Sequence, residues 1–232
     1  MFKMNIAIIP ARSGSKRIKN KNIKNFLGKP IISKVIEKLK KSRNIKLIVV
    51  SSDSEKILKI SKNYGADVLI KRPKNLSNDF ADTYSVIQHA INYLQLNDFL
   101  FKNVFCIYPT SIFLNSSIIL RALKKLKKNN YVLTGVKYNH PIERSFKNLR
   151  NRIKLNYPKK IYSRTNDINP SYHDAAQLYL AKTNTWLNDK KIISNNSSFV
   201  ELMKYSCVDI DTIEDWKIAE IIYENLKKNN NI

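Results

Sequence analysis

The run Ala7-Ile-Ile-Pro-Ala-Arg-Ser-Gly-Ser-Lys-Arg-Ile-Lys-Asn-Lys-Asn22 decides how this chain is read. Residues 6–9 are a short apolar run of the kind that forms a buried strand. Pro10 stops that run, and the loop beyond it carries Arg12, Lys16, Arg17, Lys19 and Lys21 around a single glycine. A strand that empties into a flexible cationic loop is how open α/β sheets make a phosphate site. Backbone N–H groups and basic side chains meet the anion at the strand's carboxyl end. Neither Gly-x-Gly-x-x-Gly nor Gly-x-x-x-x-Gly-Lys-Ser/Thr is present. The plain alternative is a basic surface turn in a lysine-rich protein, so the loop needs partners elsewhere in the chain.

Outward from that loop, helix and strand patterns alternate. Residues 30–42 put Ile31, Ile32, Val35, Ile36 and Leu39 on one helical face. Residues 46–50 read as a strand ending in Ser51-Ser52-Asp53, and 54–64 as a helix closed by Gly65. A strand at 67–70 leads into a loop from Arg72 to Asp79, then a helix at 82–96. A strand at 104–108 breaks at Pro109-Thr-Ser111, followed by a helix at 116–128 and a strand at 131–136. This βαβαβαβα order predicts an α/β fold: a doubly wound, mostly parallel, Rossmann-type sheet with right-handed crossovers. Residues 139–172 hold Pro141, Pro158 and Pro170 and read as an irregular insertion that covers the site or contacts a partner. Strands are expected at 175–181 and 205–210, a closing helix at 212–228 and a frayed polar tail at 229–231.

With 232 residues, 43% of them hydrophobic, residues 1–232 are expected to form one domain. No apolar stretch approaches the roughly 18 residues of a membrane span. The opening Met-Phe-Lys-Met-Asn lacks the shape of a signal peptide. Cys106 and Cys207 fall in apolar, strand-like runs and read as reduced core residues of a cytoplasmic protein. The net charge of +24 invites a nucleic-acid reading, but the lysines are dispersed and accompany 28 asparagines, which looks like compositional bias. No zinc-ligand spacing or stacking-aromatic module accompanies the charge. The expected partners are therefore small anions, with no nucleic acid and no membrane.

The chemistry-bearing residues gather just after the apolar runs, where ligands bind in such sheets. In an extended segment Asp209 and Asp211 point to the same face, and two carboxylates there suit Mg²⁺ (or Mn²⁺) bridging to phosphate oxygens. Asp211-Thr212 followed by Glu214 and Asp215 also reads as a helix start, and the two readings are compatible. Arg12 and Lys21 would clamp a triphosphate opposite the metal. His89 falls in a helix and His140 beside Pro141, so no Ser–His–Asp or Cys–His nucleophile competes.

Taken together, these residues resemble the acylneuraminate cytidylyltransferase family over nearly the whole chain. The resemblance rests on Pro10-Ala-Arg-Ser-Gly-Ser-Lys16 with Lys21-Asn22, Ser51-Ser-Asp53, Arg72-Pro with Leu76 and Asp79, Pro109-Thr-Ser111, and Asp209-Ile-Asp-Thr212. It implies a nucleotide-diphospho-sugar-transferase-like fold and transfer of CMP from CTP to a sugar acid. By the same resemblance Ala11, Arg12 and Asn22 contact the nucleotide, Lys16 and Lys21 the phosphates, and Arg72, Ala81 and Thr83 the cytosine and ribose. Asp209 and Asp211 match the metal ligands, and Arg12, Lys21 and Asp211 the catalytic set. Arg144 and Arg164 fall near the sugar site, the latter across an expected homodimer interface. Tyr108 stands where sialic acid synthetases usually have glutamine. With His173, Asp174, Gln177 and Tyr179 it makes up the expected sugar-binding set. These departures are similar to the pseudaminic acid branch; N-acetylneuraminate, legionaminate and Kdo are the alternative sugars.

Overall fold

The computed structural model describes residues 4–229, so the first three residues and most of the expected polar tail lie outside the described residues. A seven-stranded sheet runs β11–β7–β10–β6–β1–β4–β5. Its strands are β1 (Asn5–Pro10), β4 (Leu47–Ser52), β5 (Val68–Lys71), β6 (Asn103–Ile107), β7 (Tyr131–Lys137), β10 (Tyr172–Lys182) and β11 (Ser197–Glu201). The helices are α1 (Ile31–Lys41), α2 (Glu55–Asn63), α3 (Thr83–Leu96), α4 (Ser116–Leu126), α5 (Thr183–Asn188) and α6 (Ile213–Lys228). The expected doubly wound α/β fold is therefore the observed one.

β1 lies at the heart of the sheet because it is apolar on both faces. Ala7 and Ile9 pack into the core shared with α1, α2, α4 and α6, and Ile6 and Ile8 into the core under α3 and α5. Such continuous apolar runs are what a strand covered on both sides requires. β1 pairs in parallel with β4 and β6, which sets its carboxyl end beside theirs.

β10 is the exception in direction, running antiparallel to β6 and β7. β7 delivers the chain to the carboxyl edge, and the following excursion begins and ends there, so the next strand must descend. The excursion is less irregular than expected. It contains a hairpin of β8 (Phe146–Leu149) and β9 (Arg152–Leu155), turning through Arg150 and Asn151 in the left-handed region.

The strand expected at 205–210 does not form. Leu202 N–H donates to Gly135 O as the last bond of the β11–β7 pairing, and beyond it the chain leaves the sheet, with Gln177 Nε2 donating to Ser206 O. β11, an element the sequence pattern did not reveal, forms the edge strand beside β7 instead. Cys106 is fully buried in β6, whereas Cys207 is half-buried in the segment after β11 rather than in a strand.

A small hairpin of β2 (Asn25–Phe26) and β3 (Lys29–Pro30) closes the basic loop. Leu27 and Gly28 both take positive φ, 47° and 86°, as a two-residue primed turn demands. Phe26 anchors it in the core, edge-on to Trp216 and Tyr223.

Gly135 in β7 has no room for a side chain, because a Cβ there would sit 2.8 Å from Cδ2 of Phe199 on β11. Gly135→Ala is expected to destabilise the fold by about 1–3 kcal/mol through overpacking, and pairing it with Phe199→Leu to recover part of the loss. Urea unfolding of the unsubstituted protein and the two variants measures this.

Candidate active site

Ala11 N–H donates to Ser51 O at 2.9 Å, extending the β1–β4 pairing by one residue before the basic loop departs. The loop forms one wall of a cavity of about 540 Å³ at the carboxyl edge of the sheet. Arg12, Lys16, Lys21 and Asn22 line it from one side, and Arg72, Ala81, Thr83 and Tyr108 from the other. Asp211 closes it. Residues spread over two hundred positions thus converge, as the sequence reading expects.

The cations do not stand free. Arg12 Nη1 and Lys16 Nζ each lie 2.6 Å from Asp79, which therefore stays below the usual carboxylate range through its hydrogen bonds to Lys16 and Arg12. Arg17 Nη2 reaches Asp211 at 2.7 Å and Lys21 Nζ reaches it at 3.2 Å, while Lys21 also donates to Ile210 O at 2.6 Å. Asn22 is buried and braces the loop from within, its Nδ2 donating to Arg12 O at 2.9 Å.

Arg72 differs from the other cations. It is the first residue past β5, only 5% exposed, and its Nε and Nη2 have no hydrogen-bond partner among the described residues. Burial lowers its pKa against the opposing pull of Asp53. A buried guanidinium with unmade hydrogen bonds is costly, which is the signature of a group that awaits an acceptor. Next to it, Asn78 Oδ1 accepts from the Phe80 and Ala81 N–H groups, shaping the loop that carries Asp79.

Ala11 is itself fully buried, so it forms part of the cavity's support without lining it. Tyr108 lines the cavity and shares a 2.6 Å hydrogen bond with Thr83 Oγ1, with its ring edge-on to Tyr179 at 5.9 Å. Burial pushes both phenols far above their ordinary range. Tyr179 donates to Asp174, whose other oxygen accepts from Ala176 N–H at the bulge in β10. Asp174 and Tyr179 are thus a second layer behind Tyr108 rather than cavity lining. Gln177 is buried and does not line the cavity: its side-chain Nε2 donates to Ser206 O, and its backbone carbonyl accepts from Ser111 Oγ. His173 is exposed against the Tyr138 ring, 5.0 Å away. Arg144 donates to Ser163 O within the excursion, and Arg164 is exposed beside it; neither lines the cavity.

The acidic pair is resolved in an informative way. Thr212, not Asp211, caps α6, in a capping box with Asp215, so Asp211 is free to turn to the cavity. Asp209 is exposed and does not line the cavity; partial desolvation and the Asp211 carboxylate raise its pKa against the pull of Lys21 and Arg17. Among the described residues no cluster of three or more His, Cys, Asp or Glu side chains could hold a metal. Sequence reasoning gave no role to Asp79, Asp53 or Arg17, although all three lie in the strand-end segments it singled out.

A parallel sheet whose central strand opens onto a cationic cavity defines a nucleotide-handling α/β protein. The chain belongs to the cytidylyltransferase family, whose model matches residues 6–228, and it is a nucleotidyltransferase. It is 39% identical over 223 residues to the pseudaminic acid cytidylyltransferase of Campylobacter jejuni, covering 95% of this chain and 96% of that one. A longer Helicobacter pylori protein, a pseudaminic acid cytidylyltransferase and UDP-2,4-diacetamido-2,4,6-trideoxy-β-L-altropyranose hydrolase, is 34% identical over 96% of this chain and 43% of its own length. The fold is shared with a CMP:2-keto-3-deoxy-manno-octonic acid synthetase solved with CTP. That match has a TM-score of 0.70 and 13% identity over 96% of this chain and 99% of the other.

Because partial desolvation and Asp211 raise Asp209 above its unfolded value, its stabilising contribution is present at pH below the ordinary carboxylate value. It is lost as pH rises through the raised one. Asp209→Asn is therefore expected to raise the thermal unfolding midpoint at pH 7 and to flatten its dependence across the carboxylate range. Melting curves against pH test this.

Proposed function

We propose that this chain transfers CMP from CTP to the anomeric hydroxyl of a nonulosonic acid, releasing pyrophosphate, and that the acid is pseudaminic acid. The observation that carries the reading is the cavity itself, where four loop cations and a buried, partnerless Arg72 surround space for a polyanionic nucleotide. The names of the Campylobacter and Helicobacter relatives support the choice of sugar.

In this reading Arg12, Lys16 and Lys21 exchange their present carboxylate partners for triphosphate oxygens and stabilise charge on the departing pyrophosphate. The free N–H groups of Arg72 meet acceptors on the cytosine or ribose, next to Thr83 and the Ala81 backbone. Tyr108 forms the wall between nucleotide and sugar. Asp211 accepts the proton from the attacking hydroxyl as it moves in line onto the α-phosphorus.

Asp209 and Asp211 would hold Mg²⁺ (or Mn²⁺). The donor set fits, since Asp209, whose proton affinity is raised by desolvation and by the neighbouring Asp211 carboxylate, gains from a hard cation that keeps waters and takes phosphate oxygens. Such an ion neutralises the α-phosphate when bound.

The hairpin and following turn expose Phe146, Leu149, Ile153 and Tyr162, which supports a homodimer built through this arm, with Arg144 and Arg164 carried toward the neighbouring sugar site. No helix among the described residues is long and apolar enough to cross a membrane. We place the enzyme in the cytoplasm, where CTP is available.

Pyrophosphate release is expected with CTP, Mg²⁺ and pseudaminic acid, and not with legionaminate, N-acetylneuraminate or Kdo. Release with one of those instead would keep the reaction and change the sugar. Asp211→Asn is expected to lower kcat by about 10²-fold or more while leaving the melting curve folded. A variant that keeps its turnover would remove Asp211 from the chemistry.

A further inference from the structure

Asp53 stands just past β4, one strand away from the basic loop, and has no part in the reaction described above. Its Oδ1 accepts from Ser13 N–H at 2.9 Å and its Oδ2 from the Ser13 hydroxyl at 2.5 Å. Burial works to raise its pKa, yet these two hydrogen bonds and the nearby Arg72 guanidinium hold it below the usual carboxylate range. Hydrogen bonds to an ionised acceptor are the strong kind.

Ion pairs to Asp79 and Asp211 hold the loop's basic side chains and Ile18 anchors it in the core, but the backbone at its start is open to solvent. Ser13, Gly14, Lys16 and Arg17 are exposed, and nothing lies within 4 Å of where a Gly14 side chain would begin. Arg12 sits between two braces, Asn22 on its own carbonyl and Asp53 on the next residue's N–H and hydroxyl. Those braces set the direction in which the Arg12 side chain leaves β1 and in which Lys16 and Arg17 follow.

We infer that Asp53 is a positioning residue for nucleotidyl transfer, acting through Ser13 to hold the basic loop in the conformation that receives the triphosphate. The inference rests on the reading of that loop as the triphosphate site. It makes a prediction opposite in sign to simple electrostatics. Removing a carboxylate beside a polyanion site would by Coulomb's law alone tighten CTP binding. Loss of the latch weakens it, because the cations are no longer held in place.

The test is steady-state pyrophosphate release against CTP concentration, with direct titration of CTP in Mg²⁺ buffer. Asp53→Asn is expected to raise the KM for CTP about tenfold, with a smaller change in kcat. Ser13→Ala should shift KM in the same direction without altering charge, and Ser13→Thr, which keeps the hydroxyl, should restore it. The Asp53→Asn/Ser13→Ala double variant should be no worse than Asp53→Asn, since the two act as one unit. An unchanged or lowered KM in Asp53→Asn, or effects that add in the double variant, would overturn the latch. Should Asp53→Asn unfold, the Ser13 variants decide the matter. Wild-type protein that fails to bind CTP would instead overturn the reading of the loop.

Discussion

Five cations converge on one cavity, and their charge must be compensated before any ligand arrives. Arg12 and Lys16 share Asp79, Arg17 and Lys21 share Asp211, and Arg72 leans on Asp53. Like charge concentrated in one place repels itself unless paired, most of all where one member, Arg72, is buried. Each carboxylate comes from a different part of the chain: the end of β4, the loop after β5 and the lead-in to α6. The tertiary fold is held to the arrangement that delivers all three to a single loop. Two of the carboxylates touch the cations by side chain alone, so phosphate oxygens can take their place. The third touches backbone and stays.

The second organising feature is the reversal at β10. The excursion after β7 returns the chain at the carboxyl edge, so β10 descends between β6 and β7 and sets a bulge behind Tyr108. Ala176 adopts a positive φ of 48° there, stabilised by its N–H bond to Asp174. The chain then climbs once more through β11, whose pairing ends at Gly135 O, and leaves the sheet, held by Gln177 on the way to Asp209 and Asp211. Gln177 is thus spent on fixing the path of the acidic segment. The same backbone path is shared with a CTP-bound synthetase at 13% identity, which shows how much of this architecture rests on pattern and how little on particular residues.

Much of this was legible in the sequence. Apolar runs of four or five residues alternating with amphipathic segments specify a parallel sheet through local periodicity alone. The carboxyl-end rule then located the cavity from chain order, because the parallel strands of such a sheet all open on the same side. Arg12, Lys21, Arg72, Tyr108 and Asp211 could be named without coordinates for that reason. What only the tertiary structure decided are pairings between segments far apart in the chain, which leave no periodic trace. Asp79 and Asp53 were ordinary loop acids until the fold set them against Arg12 and Ser13. The crossing at 202–212 carries apolar residues like a strand, and only the tertiary structure shows that they pack against the core and receive Lys21 at Ile210 O without joining the sheet. Local sequence determines which segments become strands and helices; which charges meet at their ends is a property of the assembled sheet.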